Sequence, residues 1–279
     1  MYISIDLGGT NTRVASSKDL KEIYKIERFL TIPDIEGLRK SVHQAISKVI
    51  DGEEVEYVCI GVPGAIDRYE RKVLRIPRIP GVKDMPFEEF FGVEKGANLI
   101  VENDAALAGL GEAIRGQGKN YRAVAYLTLS TGLGGTLILD KKILNTPRNL
   151  EPGRQVILEG GRRFPNREVP KGHFEAYASG SALREFYGVD PETCEDQKVW
   201  DEFGRHVASG IINLQALWSP QIVILGGGVS NQFEKFKDAM FKEIEENIVE
   251  IPKVVKSDLG DINGVLGGFD LINEMVRKN

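Results

Sequence analysis

Two cysteines in 279 residues, Cys59 and Cys194, are too few for a disulfide framework or a thiolate metal site. Cys59 sits in the apolar run YVCIGV and reads as a core filler. No apolar stretch reaches the roughly 20 residues that a membrane-spanning helix needs. No arginine-rich arm or basic run with aromatics is present. The 36 Lys and Arg are interspersed with 41 Asp and Glu, for a formal charge of -5, which argues against nucleic acid as a partner. The N-terminus passes straight into a strand pattern without a basic-then-apolar leader. These absences set the expectation of a cytoplasmic chain with no membrane partner.

What is present is an apolar content of 42% and 31 glycines. That suits one large domain or two of ordinary size. YISIDL, TRVASS and EIYKIERFLTI read as strands. Residues 35–50 read as a helix, with Leu38, Val42, Ala45, Ile46 and Val49 at helical spacing. EYVCIGV and NLIVEN read as buried strands, and DAALAGLGEAIRG as a helix closed by Gly116. The second half repeats the style. RAVAYLTLS, TLILD and KILN read as strands, 203–218 as a long helix, and QIVILGGGVS as a strand entering a glycine turn. Helices are expected at 232–249 and at the C-terminus after a glycine entry. The pattern favours two α/β lobes of similar design with a cleft between them. Residues 146–171, rich in Pro, Gly, Arg and Glu, read as a long irregular excursion.

The stretch DLGGTNTR at 6–13 places an acid and two glycines at a strand end, and LGGT recurs at 133–136. A turn built from such residues can aim backbone N–H groups into one concavity and hold an anion. Gly8, Gly9, Gly132, Gly134 and Gly135 fit that role, and Thr10 and Thr131 can add hydroxyl donors. Ordinary hairpin turns would also use glycine. No G-x-x-x-x-G-K-[ST] pattern occurs. Asp6 beside a polyphosphate calls for an intervening Mg²⁺ that keeps most of its waters, or else caps a turn. Asn103 and Asp104 fall where a strand meets a helix. Both suit a helix start, and Asp104 also suits a general base that orients an attacking hydroxyl.

In order along nearly the whole chain, these pieces resemble the ROK family of sugar kinases and sugar-responsive repressors, within the actin-like ATPase superfamily. DLGGTNTR resembles its first phosphate motif, GVPGAID at 61–67 the segment framing the sugar, and ENDAALAGLGE at 102–112 the signature holding the catalytic Asp. STGLGGTLILD resembles the second phosphate motif. EPGR at 151–154 stands where the family has Glu-x-Gly-His. HFEAYASGSAL from His173 resembles the segment after the zinc loop, and ILGGGVS at 224–230 the adenosine turn.

The resemblance implies a two-lobed actin-like, ribonuclease H-like α/β fold with an interlobe cleft. The smaller lobe would be 1–113 plus 264–279, and the larger 114–263. It implies ATP-dependent phosphorylation of a hexose, O6 of glucose or a close relative, with Asp104 as the base. Gly64, Ala65, Asn103, Glu151, Arg154 and Glu175 would frame the sugar. Asp6, Gly8, Gly9, Thr10, Asn11, Thr131, Gly132 and Gly134 would handle phosphates, with Asp6 meeting Mg²⁺ through water. Gly227 and Gly228 would lie near adenine and ribose. A homodimer is expected from relatives. Alternatives are a kinase for an N-acetylhexosamine or fructose, or a non-catalytic sugar-binding or regulatory protein. The repressors carry an extra N-terminal helix-turn-helix, for which a phosphate turn starting at residue 6 leaves no room.

The family's zinc ligands are a His and three cysteines. Here Arg154 takes the His position, the loop GRRFPNREVPKGH has no cysteine, and His173 stands at the last one. No structural zinc is expected. Arg154 would either fork to Glu151 or Glu175 and staple the loop, the reading favoured, or meet an unusual or anionic substrate.

Overall fold

A computed structural model describes residues 1–93, 98–165 and 171–278. The chain forms two compact units. Unit 1 comprises Met1–Arg115, Lys142–Asn149 and Asp261–Asn279, and unit 2 comprises Gly116–Lys141 and Leu150–Gly260. The eight residues Lys142–Asn149 thus return to unit 1, although the sequence reading ran the second lobe unbroken from 114 to 263.

In unit 1, β1 (Tyr2–Leu7), β2 (Asn11–Ser17) and β3 (Lys25–Leu30) form an antiparallel meander. After α1 (Ile35–Val49), β4 (Tyr57–Val62) and β8 (Leu99–Asn103) extend the sheet in parallel, giving the order β3-β2-β1-β4-β8. Strand alternation sorts β1 by face. Ile3, Ile5 and Leu7 join the core that also holds Leu38, Val42, Ala45 and Val49 of α1. Ser4 and Asp6 point the other way, toward α7 (Asn263–Val276). Asp34 caps α1 through Gly37 N. Inserted between β4 and β8 is a small antiparallel sheet of β5 (Ala65–Asp67), β6 (Lys72–Arg75) and β7 (Lys83–Pro86), followed by α2 (Phe87–Phe91). Sequence periodicity missed it because its strands have only three or four residues each. A further two-residue strand, β11 (Lys142–Ile143), lies in the returning segment.

α3 (Asp104–Ile114) follows β8 directly and packs on α7 through glycines. A Cβ on Gly267 would strike the carbonyl oxygen of Leu107, so the two backbones meet without side chains between them. The Arg115 guanidinium, just past α3, grips Asp270 of α7 at 2.7–3.0 Å. Burial pushes the Asp270 carboxyl up from its ordinary value, and Arg115 pulls it back.

Unit 2 repeats the plan. β9 (Ala123–Leu129) and β10 (Leu133–Leu139) form an antiparallel hairpin, and β12 (Ile222–Gly226) and β13 (Lys253–Lys256) continue in parallel from β9. α4 (Gly180–Tyr187), α5 (Gln197–Trp218) and α6 (Phe233–Asn247) complete it. The expected start of α5 at 203 is too late. Asp196 caps the helix by accepting from Lys198 N, and the first turn buries Trp200. Trp200, Phe203 and Phe236 cluster with ring centroids 5.2–6.2 Å apart. Cys59 is fully buried and burial pushes its thiol up, as a core residue requires. No helix among the described residues is long and apolar enough to cross a membrane.

Gly267→Val is expected to force α3 off α7 and cost about 3 kcal/mol, read as a lowered midpoint in denaturant unfolding of the whole chain.

Candidate active site

Unit 1 gathers its candidate residues at one sheet edge. β1, β4 and β8 run parallel, so their C-terminal ends share a side. Asp6 lies level with Gly61, and Gly61 with Glu102. One residue further, Val62 is level with Asn103. With strands about 4.8 Å apart, the ends of β1 and β8 stand about 10 Å from each other across β4.

Residues 8–10 make the β1–β2 turn. Every carbonyl from Gly8 to Asn11 is taken by a donor of the chain. The Thr31 hydroxyl donates to Gly8 O at 2.7 Å, Arg78 Nη1 to Gly9 O at 2.9 Å, Thr31 N to Thr10 O at 2.9 Å and Gly8 N to Asn11 O at 3.0 Å. The carbonyl dipoles that would repel an anion are therefore spoken for within the fold.

Asp6 is largely buried, and Arg13 Nη1 donates to it at 3.1 Å. Burial pushes its carboxyl up from the ordinary value, opposed by the Arg13 charge. The expected cation at Asp6 thus already has a resident counterpart in Arg13, which the sequence did not reveal. No group of three or more His, Cys, Asp or Glu among the described residues is placed to hold a metal ion by itself. Mg²⁺ that keeps its waters and takes phosphate oxygens needs only one protein carboxylate, so Asp6 still fits it.

Asn103 caps α3, accepting from Ala106 N at 3.1 Å, while its Nδ2 donates to Gly64 O at 3.1 Å. Its amide therefore serves the scaffold as well as the proposed sugar contact. Asp104 occupies the first turn of α3. The residue before Asn103 is clamped by a fork: Arg68 donates to Glu102 at 2.6 and 2.7 Å and to Thr146 O at 2.9 Å. Gly64 has φ +112°, and a Cβ there would strike Arg75 O, so only glycine suits this bend. Asn149 ties it further, donating to Gly64 O at 3.2 Å and accepting from Ile66 N at 3.1 Å. Ala65 opens β5 beside it. Arg68 and Asn149 were not anticipated, because they lie 34 and 85 residues from their partners.

In unit 2 the hairpin turn is 130–132, which places Thr131 and Gly132 as expected. The second LGGT is different. Gly134 and Gly135 lie inside β10, paired with Thr128 and Leu127, so they belong to the strand ladder and not to an anion turn. The first LGGT enters its turn one residue after Leu7, whereas the second begins only after its turn has closed. Around 130–132 the chain collects other candidates. Glu175 accepts from Leu133 N at 3.2 Å. Gly153, two residues after Glu151, packs against Leu133. Gly180 N and Ser181 N at the start of α4 donate to Ser130 O and Thr131 O at 2.7 and 3.1 Å. Gly227 and Gly228 follow β12 beside the end of β9, and the Ser230 hydroxyl donates to Gly227 O at 2.7 Å.

The staple expected of Arg154 is not there. Its Nε stands 3.8 Å from Glu151 Oε2, with both side chains more than a third exposed, beyond hydrogen-bond reach. Such a pair contributes little. Arg162 does the holding instead. It donates to the Tyr187 hydroxyl at 2.8 Å and to Glu202 at 2.9 Å, and lies 5.1, 5.4 and 4.7 Å from the rings of Tyr177, Phe186 and Tyr187. Its N donates to the Tyr177 hydroxyl at 2.6 Å, and its carbonyl accepts from Gly172 N at 2.8 Å. Gly172 and Tyr177 bracket His173 and Glu175, so this one residue, through its backbone and its side chain, ties that segment to α4 and α5. The stretch 166–170 of the expected zinc loop lies outside the described residues, and the absence of zinc stays an expectation from the sequence.

Comparison with known proteins gives the family. A family model, ROK family, matches residues 2–275. The chain belongs to the ROK family. Among its relatives, the glucokinase of Thermotoga maritima is 28% identical, covering 98% of each chain. The N-acetyl-D-glucosamine kinase of Vibrio parahaemolyticus is 27% identical, over 96% of this chain and 98% of that one. A ROK family glucokinase from Streptomyces griseus, solved with glucose and AMPPNP, superposes with a TM-score of 0.82 at 26% identity, covering 97% and 98%. The fold is the mixed α/β architecture of the actin-like ATPases.

Arg162→Ala is expected to lose about 2 to 3 kcal/mol of stability, and Arg154→Ala no more than about 0.5, measured side by side in chemical denaturation. Burial pushes His206 below its ordinary 6.5, with Glu202 pulling it back. His206 lies 4.6 Å from the Tyr177 ring. Below that pH the unfolded chain binds more protons than the native one, so stability present above it is lost as pH falls. Thermal midpoints should drop on going from about pH 7.5 to about 5.5, and His206→Gln should flatten that slope.

Proposed function

We propose that this ROK protein is an ATP-dependent sugar kinase acting on a hexose hydroxyl, with O6 of glucose or a near relative as the acceptor. The observation that carries the reading is the sheet edge of unit 1. A glycine turn with its carbonyls engaged, the Asp6 carboxylate and Asp104 on a helix start all leave parallel strands on the same side. The names of the relatives, glucokinase and N-acetyl-D-glucosamine kinase, support the reaction class.

In the proposed step the acceptor oxygen attacks the γ-phosphorus. The new P–O bond forms as the bond from that phosphorus to the β,γ-bridging oxygen breaks. The hydroxyl proton passes to Asp104, and ADP leaves. Asp104 need not be strongly basic, because phosphoryl transfer is largely dissociative. Backbone amides of Gly9 and Thr10 and of 131–132 neutralise charge that grows on phosphoryl oxygens. Mg²⁺, which Asp6 and Thr10 would hold together with the nucleotide, supplies charge neutralisation when bound. Glu151 and Glu175 accept from adjacent sugar hydroxyls, and the Gly64 bend passes its backbone close to the ring. Gly227 and Gly228 give room for adenosine. A second acceptor, an N-acetylhexosamine, is favoured by the Vibrio relative.

Purified protein with ATP and a panel of glucose, mannose, fructose, N-acetylglucosamine and N-acetylmannosamine should consume ATP in a sugar-dependent manner, fastest with glucose. Asp104→Asn should lower that turnover by about 10²- to 10⁴-fold with the melting profile kept. Sugar-independent hydrolysis, or an Asp104→Asn variant as fast as the native enzyme, would refute the assignment.

A further inference from the structure

Residues 75–78 run between two candidate elements of unit 1. At one end Arg75 O backs the Gly64 bend, with Pro77 Cδ 3.0 Å from where a Gly64 Cβ would lie. At the other end Arg78 Nη1 donates to Gly9 O at 2.9 Å and to Thr10 Oγ1 at 3.3 Å. Both acceptors are neutral. Among the described residues no carboxylate pairs with Arg78, and its Nε and Nη2 have no acceptor. Among the described residues of unit 1, Arg13, Arg39, Arg68, Arg71 and Arg115 each hold a carboxylate, whereas Arg75 and Arg148, like Arg78, do not; of these three only Arg78 is anchored on the glycine turn. Here a full positive charge is anchored by one nitrogen to the glycine turn, with the rest of its donor fork unspent. Thr31 pins the same turn from its other carbonyls.

We propose that Arg78 binds the donor phosphate directly, its guanidinium taking oxygens of the terminal phosphoryl group at the 8–10 turn. This rests on the kinase reading above and adds to it a residue that the glycine motif does not contain. A planar guanidinium offers two parallel N–H bonds to a phosphate, which an ammonium does not. Anchoring through Gly9 O and Thr10 Oγ1 fixes the fork before the ligand arrives, so little rotamer freedom is lost on binding. Arg78 makes and breaks no bond; it offsets charge on the oxygens of the group in transfer. Its place in the 75–78 segment, whose other end supports the Gly64 bend, links the phosphate grip to the loop assigned to the sugar.

The alternative is that Arg78 only splints the turn. Calorimetric titration of the full chain with ATP and with ADP separates the two, using native protein, Arg78→Gln and Arg78→Lys. Arg78→Gln should weaken ATP about 10- to 100-fold and ADP less than about 3-fold, with Arg78→Lys in between and thermal midpoints near native. Equal losses for ATP and ADP, unchanged ATP affinity, or a native protein that binds neither nucleotide would each overturn the proposal. The kinase reading is judged separately: sugar-dependent turnover with ATP affinity indifferent to Arg78 would sink only this inference. ATP binding that needs Arg78, without any sugar-dependent turnover, would sink only the kinase reading.

Discussion

Parallel pairing of β1, β4 and β8 is the constraint on which unit 1 depends. A parallel strand must return by a crossover, so each chain exit lands on the same edge of the sheet. That edge collects the 8–10 turn, the Gly64 bend and the start of α3 without any of them being neighbours in sequence. The edge is then made rigid by buried polar contacts rather than by bulk. Glu102 is held by Arg68, Asn103 spans from Ala106 N to Gly64 O, and Asn149 reaches back from the returning segment. α3 cannot slide, because its backbone lies directly on α7 and Arg115 locks its end to Asp270. Asp104, the proposed base, would keep a fixed direction on such a helix, which matters because small misplacement of a reacting group costs rate steeply.

The two units solve the same problem with the same parts. Each begins its sheet with a hairpin closed by a three-residue turn and then adds parallel strands from the first strand of that hairpin. Unit 2 differs in how it secures its turn. Its carbonyls go to the amides at the start of α4, and Glu175 takes the amide of Leu133. Carboxylate and turn are thus assembled on one piece of scaffold.

Much of this was legible in the residues. Strand and helix identities followed from alternation and helical spacing, because β1, β4, β9 and β12 are apolar runs bounded by turns. Asp104 could be placed at a helix start since Asn followed by Asp is a capping pattern. The short strands β5 to β7 were illegible, having too few residues to show a period. The second LGGT misled, since a glycine in a paired strand looks the same in sequence as one in a turn. Arginine was the larger gap. Arg13, Arg68, Arg78 and Arg162 decide the electrostatics of their neighbourhoods, yet a long flexible side chain carries no local signature of what it will reach. The staple assigned to Arg154 belongs to a residue eight positions later, and only the Tyr177, Phe186 and Tyr187 rings reveal why.

That fastening around Arg162 has a chemical consequence. The stretch from Leu150 to Ser179 contains neither cysteine nor methionine, and its grip is made of a guanidinium, three rings and a carboxylate. Peroxide finds no sulfur in that stretch to oxidise. The hold of Arg162 on the segment that carries Glu175 is thereby uncoupled from the redox state of its surroundings.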